Sequence, residues 1–351
     1  MKSQIIDLVN PLWRKILEQI RHDIYQLPEY IALEASRSTA IPEAIAIIDE
    51  DKIFFVPYLL SQWEEDIFDL KSPYGYPGIL LSPAAINSSE FIEQAWQEFQ
   101  QILNHKNVCS VFLRMHPILN ENFEEIFPPN SFTPNGETVS IDLRIPESQL
   151  WSHTRKGHKS TINKCKKLGM EAKFVPVNEY LDEFTTIYQE TMARVQASDR
   201  YYSFDHKYYQ QMSQALGEKL HLCIVEYENE IACAGLYTEV CGIVQSTLGG
   251  TKDKFVHLSP SSLETDYARY WAHQRGNEFL HLGGGVGGDK DAVYNFKAGF
   301  SKLRHQFNTM RLIINPEKYH NLVKLRAKEL NIDLDKLYQS NFFPAYRASI
   351  E

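Results

Sequence analysis

The sequence predicts an α+β chain of two domains, each a mixed, largely antiparallel sheet flanked by helices, and three observations carry that prediction. At 351 residues the chain exceeds what one ordinary core organises and suggests about two domains. Apolar residues at helical spacing are interspersed with short strand-like runs without a regular βα rhythm, which disfavours a doubly wound sheet. In the second half three strand-like runs follow one another across the short turns Glu228-Asn229-Glu230 and Cys241-Gly242, an antiparallel meander.

Taken in order, the first helical spacing covers Pro11 to Ile20, where Leu12, Ile16, Leu17 and Ile20 recur, Asn10 is a good N-cap and Pro11 suits the first helical position. Ala44 to Ile48 and Lys52 to Leu60 read as a hairpin around the acidic turn Asp49-Glu50-Asp51. A helix is expected over Ser88 to Leu103, with Phe91, Ile92, Ala95, Trp96, Phe99 and Leu103 on one side, and a strand over Val108 to Met115. Phe127-Pro128-Pro129 and Pro134-Asn135-Gly136 interrupt the periodicity before a strand over Thr138 to Leu143. The domain boundary is therefore expected near 145, with 1–145 as one domain and 146–351 as the other.

The second domain is expected to open with one helix over Pro146 to Leu168, stopped by Gly169. A strand over Met170 to Val177, helices over Glu179 to Arg194 and His206 to Leu216, and the meander Lys219 to Tyr227, Ile231 to Val240 and Ile243 to Gly249 come next. The pattern then predicts a helix over Pro260 to Arg275, a strand over Glu278 to Leu282, a helix over Asp291 to Gly299 and a strand over His305 to Ile314. A helix from Pro316 carries Tyr319, Val323, Ala327 and Leu330 on one face.

Composition narrows the function. No apolar run approaches the ~20 residues that cross a bilayer, so no transmembrane segment is expected. The amino terminus lacks the apolar stretch of a signal peptide, and a cytoplasmic location is expected. Cys109, Cys165, Cys223, Cys233 and Cys241 are odd in number and contain no C-x-x-C pair, so they read as reduced core residues. A net charge of -9 argues against DNA as a partner, although a local basic patch can hold a phosphate or the end of an RNA. His153 and His158 do not share a helix face closely and no H-E-x-x-H occurs, so no metal is expected.

Three stretches stand out. Asp69-Leu70-Lys71-Ser72-Pro73-Tyr74-Gly75-Tyr76-Pro77-Gly78 combines an irregular backbone with two aromatic faces, as a ligand wall or a surface turn would. Trp151 to Gly169 carries Arg155, Lys156, Lys159, Lys164, Lys166 and Lys167 without one acid. Lysines near a helix C-terminus also suit the helix dipole, but Arg155 and Lys156 lie near its start, where the dipole disfavours cations and a bound anion explains them better. Leu282-Gly283-Gly284-Gly285 is followed by Tyr294-Asn295-Phe296-Lys297-Ala298-Gly299-Phe300, in which a lysine sits between aromatic anchors; the spacing is neither a P-loop nor a dinucleotide fingerprint.

These stretches resemble the FemABX-like transferases of the N-acetyltransferase (GNAT) superfamily, the peptidoglycan interpeptide bridge type. The resemblance implies two tandem GNAT-like domains that move an activated acyl or aminoacyl group to an amine of an anionic cell-envelope precursor, nucleotide-linked or lipid-linked. It implies Lys297 as the catalytic residue, facing the charge that develops on the attacked carbonyl. Tyr74, Tyr76, Arg155, Lys156, Arg194 and Tyr201 would hold the acceptor, and amides around Ser246, Gly249 and Gly250 the donor. Glu264, Asp266, Asp289 and Asp291 are carboxylates close by in sequence, and none is singled out as general base.

No tightly bound cofactor is expected; aminoacyl-tRNA or acyl-CoA would be co-substrate. The glycine-rich pyrophosphate loop typical of acetyl-CoA enzymes, Q/R-x-x-G-x-G/A, is missing from Thr251 to Ser262, which favours aminoacyl-tRNA. The long helical insertion of some tRNA-dependent members has no heptads here to supply it, so the donor stays open. Two alternatives stand beside this expectation: an acyl-CoA-dependent N-acyltransferase of surface-polysaccharide synthesis, and a non-catalytic protein that binds with the same site.

Overall fold

Short runs of alternating apolar residues become strands throughout the computed structural model, which describes residues 1–64, 66–197, 204–340 and 342–348. In chain order these are β1 (Lys2–Ile6), β2 (Ile41–Asp49), β3 (Lys52–Glu64), β4 (Ile67–Lys71), β5 (Leu80–Leu81), β6 (Val108–Arg114), β7 (Phe132–Asp142), β8 (Glu171–Val175), β9 (Leu220–Tyr227), β10 (Glu230–Val240), β11 (Ile243–Thr251), β12 (Phe279–Gly283) and β13 (Arg304–Ile313). The chain divides into two units, one joining Met1–Asn135 to Gln306–Glu351 and the other formed by Gly136–His305.

In the first unit the strand order is β1-β2-β3-β4-β6-β13, with every neighbouring pair antiparallel except β4 with β6. The expected hairpin is β2–β3, paired from Asp49↔Lys52 to Ile41↔Leu60. The helix Ser89–His105 buries Phe91, Ile92, Ala95, Trp96, Phe99 and Leu103, the face its periodicity marks out, into a core with Ile45, Phe54, Val56 and Val111. Each such buried aliphatic or aromatic side chain contributes about 1.5–3 kcal/mol of burial.

The second unit repeats this plan with the order β7-β12-β11-β10-β9-β8, again with one parallel pair, β11 with β12. Its helix Ser261–Gln274 lays Leu263, Ala268 and Ala272 into a core with Cys223, Val225, Tyr237, Val244 and Leu280.

The division differs from the expected 1–145 and 146–351. Each unit completes its sheet with a strand that the linear reading assigns to the other: β7 comes after β6 in sequence but pairs with β12, and β13 comes after β12 but pairs with β6. The tail then stays with β13. The helix Pro316–Leu330 packs Tyr319, Leu322, Val323 and Ala327 around Cys109 of β6, and Asp69 of β4 accepts from Tyr346 and, at 2.6 Å, from Arg347. These bonds place residues after 305 with the first unit.

A second correction concerns the helix expected over Pro146 to Leu168. It is two helices, Glu147–Ser152 and Lys156–Lys167, because Arg155 is extended (φ -59°, ψ 144°) and its N–H donates to the carbonyl of Gly299 at 2.7 Å. The wholly buried guanidinium of Arg269 fastens the break, donating to the Leu150 carbonyl at 3.1 Å and to Thr154 and Asp266. Among the described residues no helix is long and apolar enough to cross a membrane.

Candidate functional site

The chemistry in the second unit gathers around the end of β12. Gly283 takes φ +78° and pairs with Val139, and the chain turns through Gly284 and Gly285. A Cβ on Gly284 would stand 2.9 Å from the Glu137 carbonyl, and one on Gly285 would stand 2.0 Å from the Asp289 carbonyl and 2.5 Å from Asp291 Oδ1. Only bare backbone fits so tight a turn.

Asp291 caps the helix Ala292–Lys297, accepting from Tyr294 N at 2.8 Å and from Val286 N at 3.1 Å. Burial raises its pKa, but those backbone donors and the Lys297 charge outweigh it, so the carboxyl lies below its ordinary value. At the other end of this helix Lys297 reaches back to the turn, Nζ donating to the Gly284 carbonyl at 2.6 Å. Withdrawal from water lowers its pKa to about 8 against the opposing pull of Asp291. Tyr294, one turn earlier, donates to Glu137 at 2.7 Å and accepts from Arg304 Nε at 3.0 Å, while Lys290 holds Glu137 at 2.8 Å.

The start of Lys156–Lys167 is built against the same helix. Arg155 is its N-cap, and both Arg155 and Lys156 are exposed. His158, on the first turn, donates from Nε2 to the Phe296 carbonyl at 2.8 Å, since a carbonyl only accepts, and its Nδ1 accepts from Arg155 at 3.3 Å. Arg155 is therefore tied through His158 to Phe296, the residue before Lys297, and the two cations belong to one local cluster. His158 and Glu137 are members that sequence reasoning misses: a lone histidine invites only the metal-ligand question, and its contact with the aromatic-flanked lysine segment leaves no pattern to read.

Ser246, Gly249 and Gly250 lie on β11 beyond its last pairing with β12, Gln245↔His281. There β11 runs on to Thr251 with β10 alone, through a bulge at Thr247, and Ser246 to Gly250 are half-buried to exposed. Gly250 has a packing reason as well: a Cβ would meet Thr191 Oγ1 at 2.6 Å and the Ile187 carbonyl at 2.8 Å on the helix Leu181–Arg194. Arg194, at the end of that helix, donates to the Thr251 carbonyl at 3.0 Å and pairs with Asp253, so it holds the strand end and the turn after it. Tyr201 lies outside the described residues.

Of the carboxylates, Asp266 is committed to Arg269 and to Lys166 at 3.1 Å. Asp289 is exposed. Glu264 is buried under β10 with Oε1 where a Gly235 Cβ would be, 2.3 Å away. Desolvation raises its pKa to about 7, against hydrogen bonds from Tyr237 and Thr265 that lower it. Among the described residues no group of three or more His, Cys, Asp or Glu could hold a metal ion.

In the first unit the Tyr74–Tyr76 loop is a packed structure rather than a surface turn. Gly75 (φ +92°) lies against Tyr25, whose ring a Cβ would meet at 2.0 Å. Tyr30 donates to the Tyr74 carbonyl at 3.2 Å and Gln26 to the Pro77 carbonyl at 2.5 Å. Tyr76 meets Phe307 edge-on at 5.2 Å. The buried pair His116–Asp23, 3.0 Å apart, lies alongside Tyr25.

Two units that share a five-strand order, each with a single parallel pair, have a tandem GNAT-type architecture. It is shared with a tandem GNAT protein from the clavulanic acid biosynthesis pathway, at 6% identity, TM-score 0.50, and coverage of 90% of this chain and 99% of that one. The model of the FemAB family matches residues 138–231, from β7 into β10. The matched stretch contains Arg155, Lys156 and Arg194; Lys297 and the glycine turn lie beyond it. A crystal structure of FemX matches at TM-score 0.71 and 11% identity, covering 91% of this chain and 99% of that chain. The structure of L-PGS from Bacillus licheniformis matches at TM-score 0.53 and 13% identity, covering 96% and 98%. At these identities the likeness is one of fold. No curated protein matches the chain.

Proposed function

We propose that this chain transfers an activated acyl or aminoacyl group to an amine of an anionic cell-envelope precursor, with Lys297 as the group facing the reacting carbonyl. The observation that carries this reading is the Lys297 ammonium, drawn out of water and bonded to Gly284 at the glycine turn. An ammonium has three N–H groups and the Gly284 bond takes one. In a site that excludes water, a fixed positive donor stabilises a developing oxyanion by several times what it would in bulk solvent.

The amine nitrogen attacks the carbonyl carbon of an ester or thioester, the carbonyl oxygen takes up negative charge, and the C–O or C–S bond then breaks. The proton lost by the amine ends on the departing oxygen or sulfur. Arg155 and Lys156, exposed beside this cluster, suit a phosphate or carboxylate of the acceptor. Tyr74 and Tyr76 remain candidates for the acceptor, as do the Ser246 to Gly250 amides for the donor.

Aminoacyl-tRNA is the donor we favour. The connection after β11 has Asp253 paired with Arg194, and Lys252 and Lys254 paired with Glu230, so it carries ion pairs where a diphosphate would need bare amides and cations. Purified protein incubated separately with charged tRNA and acyl-CoA, together with a muropeptide precursor, should consume only the first donor. Lys297→Ala should lower turnover about 100-fold, the usual cost of losing an oxyanion donor. Because the ammonium is the active form, the native rate should fall as pH rises through about 8. An unchanged rate in Lys297→Ala removes this residue from the chemistry, and consumption of acyl-CoA alone replaces the favoured donor with the other.

A further inference from the structure

We infer that His158 is a positioning residue for Lys297, clamping the end of the Ala292–Lys297 helix onto the start of Lys156–Lys167. Three contacts make the clamp. Nε2 donates to the Phe296 carbonyl at 2.8 Å, an oxygen that already accepts from Gly299 N at 3.0 Å. The imidazole lies edge-on to Phe300 with centroids 4.7 Å apart, and it fills the space over Gly299 so fully that a Cβ there would stand 2.4 Å from its ring. On the far side Nδ1 accepts from Arg155, whose own N–H donates to the Gly299 carbonyl at 2.7 Å.

Lys297 lies between two of the residues so held, Phe296 and Gly299. The helix that carries it runs only from Ala292 to Lys297, too short to be stable by itself, so its last turn takes its place from tertiary contacts. The turn must hold if Nζ is to reach Gly284 out of water. His158 suits this task as a neutral ring: desolvation lowers its pKa, the Phe296 carbonyl opposes that and Arg155 adds to it. The clamp itself needs no substrate, but its importance for turnover rests on Lys297 being the oxyanion donor.

The test is the titration of Lys297 in the full chain, followed by NMR after reductive ¹³C-methylation, with the signal assigned by its loss in Lys297→Arg. The native midpoint should be near 8, and it should rise toward the ordinary 10.5 in His158→Ala and in His158→Leu, which fills the space without donating. His158→Gln, whose amide N–H can reach the Phe296 carbonyl, should stay near the native midpoint. An unmoved midpoint in folded Ala and Leu variants overturns the proposal. So does a Gln variant that shifts as far as Ala, and so does failure of both Ala and Leu variants to fold, which would make His158 a core residue only. If Lys297→Ala keeps full activity while the His158 variants still shift the midpoint, the reading of Lys297 fails and the clamp stands.

Discussion

The first and second units share a run of five strands, β1-β2-β3-β4-β6 and β8-β9-β10-β11-β12, and are instructive at its one parallel pair. In the first, β4 pairs with β6 to Lys71↔Phe112, and the loop after β4 continues the contact: Ser72 N donates to the Phe112 carbonyl at 2.9 Å and Gly78 N to the Arg114 carbonyl at 3.0 Å. Tyr25, Gln26 and Tyr30 then close over the loop. In the second, β11 and β12 part after Gln245↔His281, and the glycine turn after β12 accepts from Lys297 instead of meeting an aromatic lid. The parallel pair is thus the shared scaffold feature, and the loop grafted onto its strand ends decides whether the ends are packed over or left apart.

Glycine substitutions break this comparison most sharply. Gly75→Ala puts a side chain at φ +92° and 2.0 Å from the Tyr25 ring, so backbone strain and overpacking together should cost roughly 3–5 kcal/mol. Gly285→Ala strikes the Asp289 carbonyl and Asp291, and should loosen the cap of the lysine helix. We expect it to lower turnover about 30-fold and, since the atom it strikes is backbone but φ is an ordinary -83°, to cost about 1–2 kcal/mol of stability, less than Gly75→Ala. Urea unfolding and turnover, measured on both, check the contrast; equal stability losses would mean that both loops are structural.

Glu264 tests what the second unit's core tolerates. Its folded pKa of about 7 lies above the unfolded 4.5, so the native state binds the extra proton between those values. The stability this provides is whole below 4.5, falls as pH rises through the window and is gone above about 7, a loss on the order of 3 kcal/mol at most. Glu264→Gln should therefore flatten the profile and unfold at higher urea than native protein at pH 8. A native profile that does not fall between pH 5 and 8 would show that the carboxyl is solvated.

Elements with their own period and cap are legible in the sequence. The helix His206–Leu216 matches its expected span residue for residue, because Asp205 caps it and Tyr208, Tyr209, Met212 and Leu216 repeat at helical spacing. The meander is legible for the same local reason. Strands β1 and β4 are not: β1 is exposed for most of its length, and β4 comes after β3 without a strong turn signal. The exchange of β7 and β13 leaves no local trace, since strand partners are set by tertiary packing. Nor does the break at Arg155, which has no proline or glycine before it and is produced by Gly299, far along the chain. Lys297 is legible through its aromatic flanks, whereas its clamp depends on contacts that sequence spacing does not record.

Arg194 is expected to give the smallest effect, and it separates a cation placed by the fold from one placed for a ligand. Its guanidinium is about one-third exposed and pairs with Asp253, and such pairs contribute about 0–1 kcal/mol. It also donates to the Thr251 carbonyl, the last residue of β11, so its loss should fray that strand end rather than empty a site. Arg194→Ala should cost less than about 1 kcal/mol and change turnover less than about threefold, with the larger part in the KM for the donor. Arg155→Ala, measured beside it, should raise the acceptor KM and leave the donor KM alone. Should Arg194→Ala instead raise the acceptor KM as much as Arg155→Ala does, both arginines serve the acceptor and the pairing with Asp253 belongs to the unliganded state.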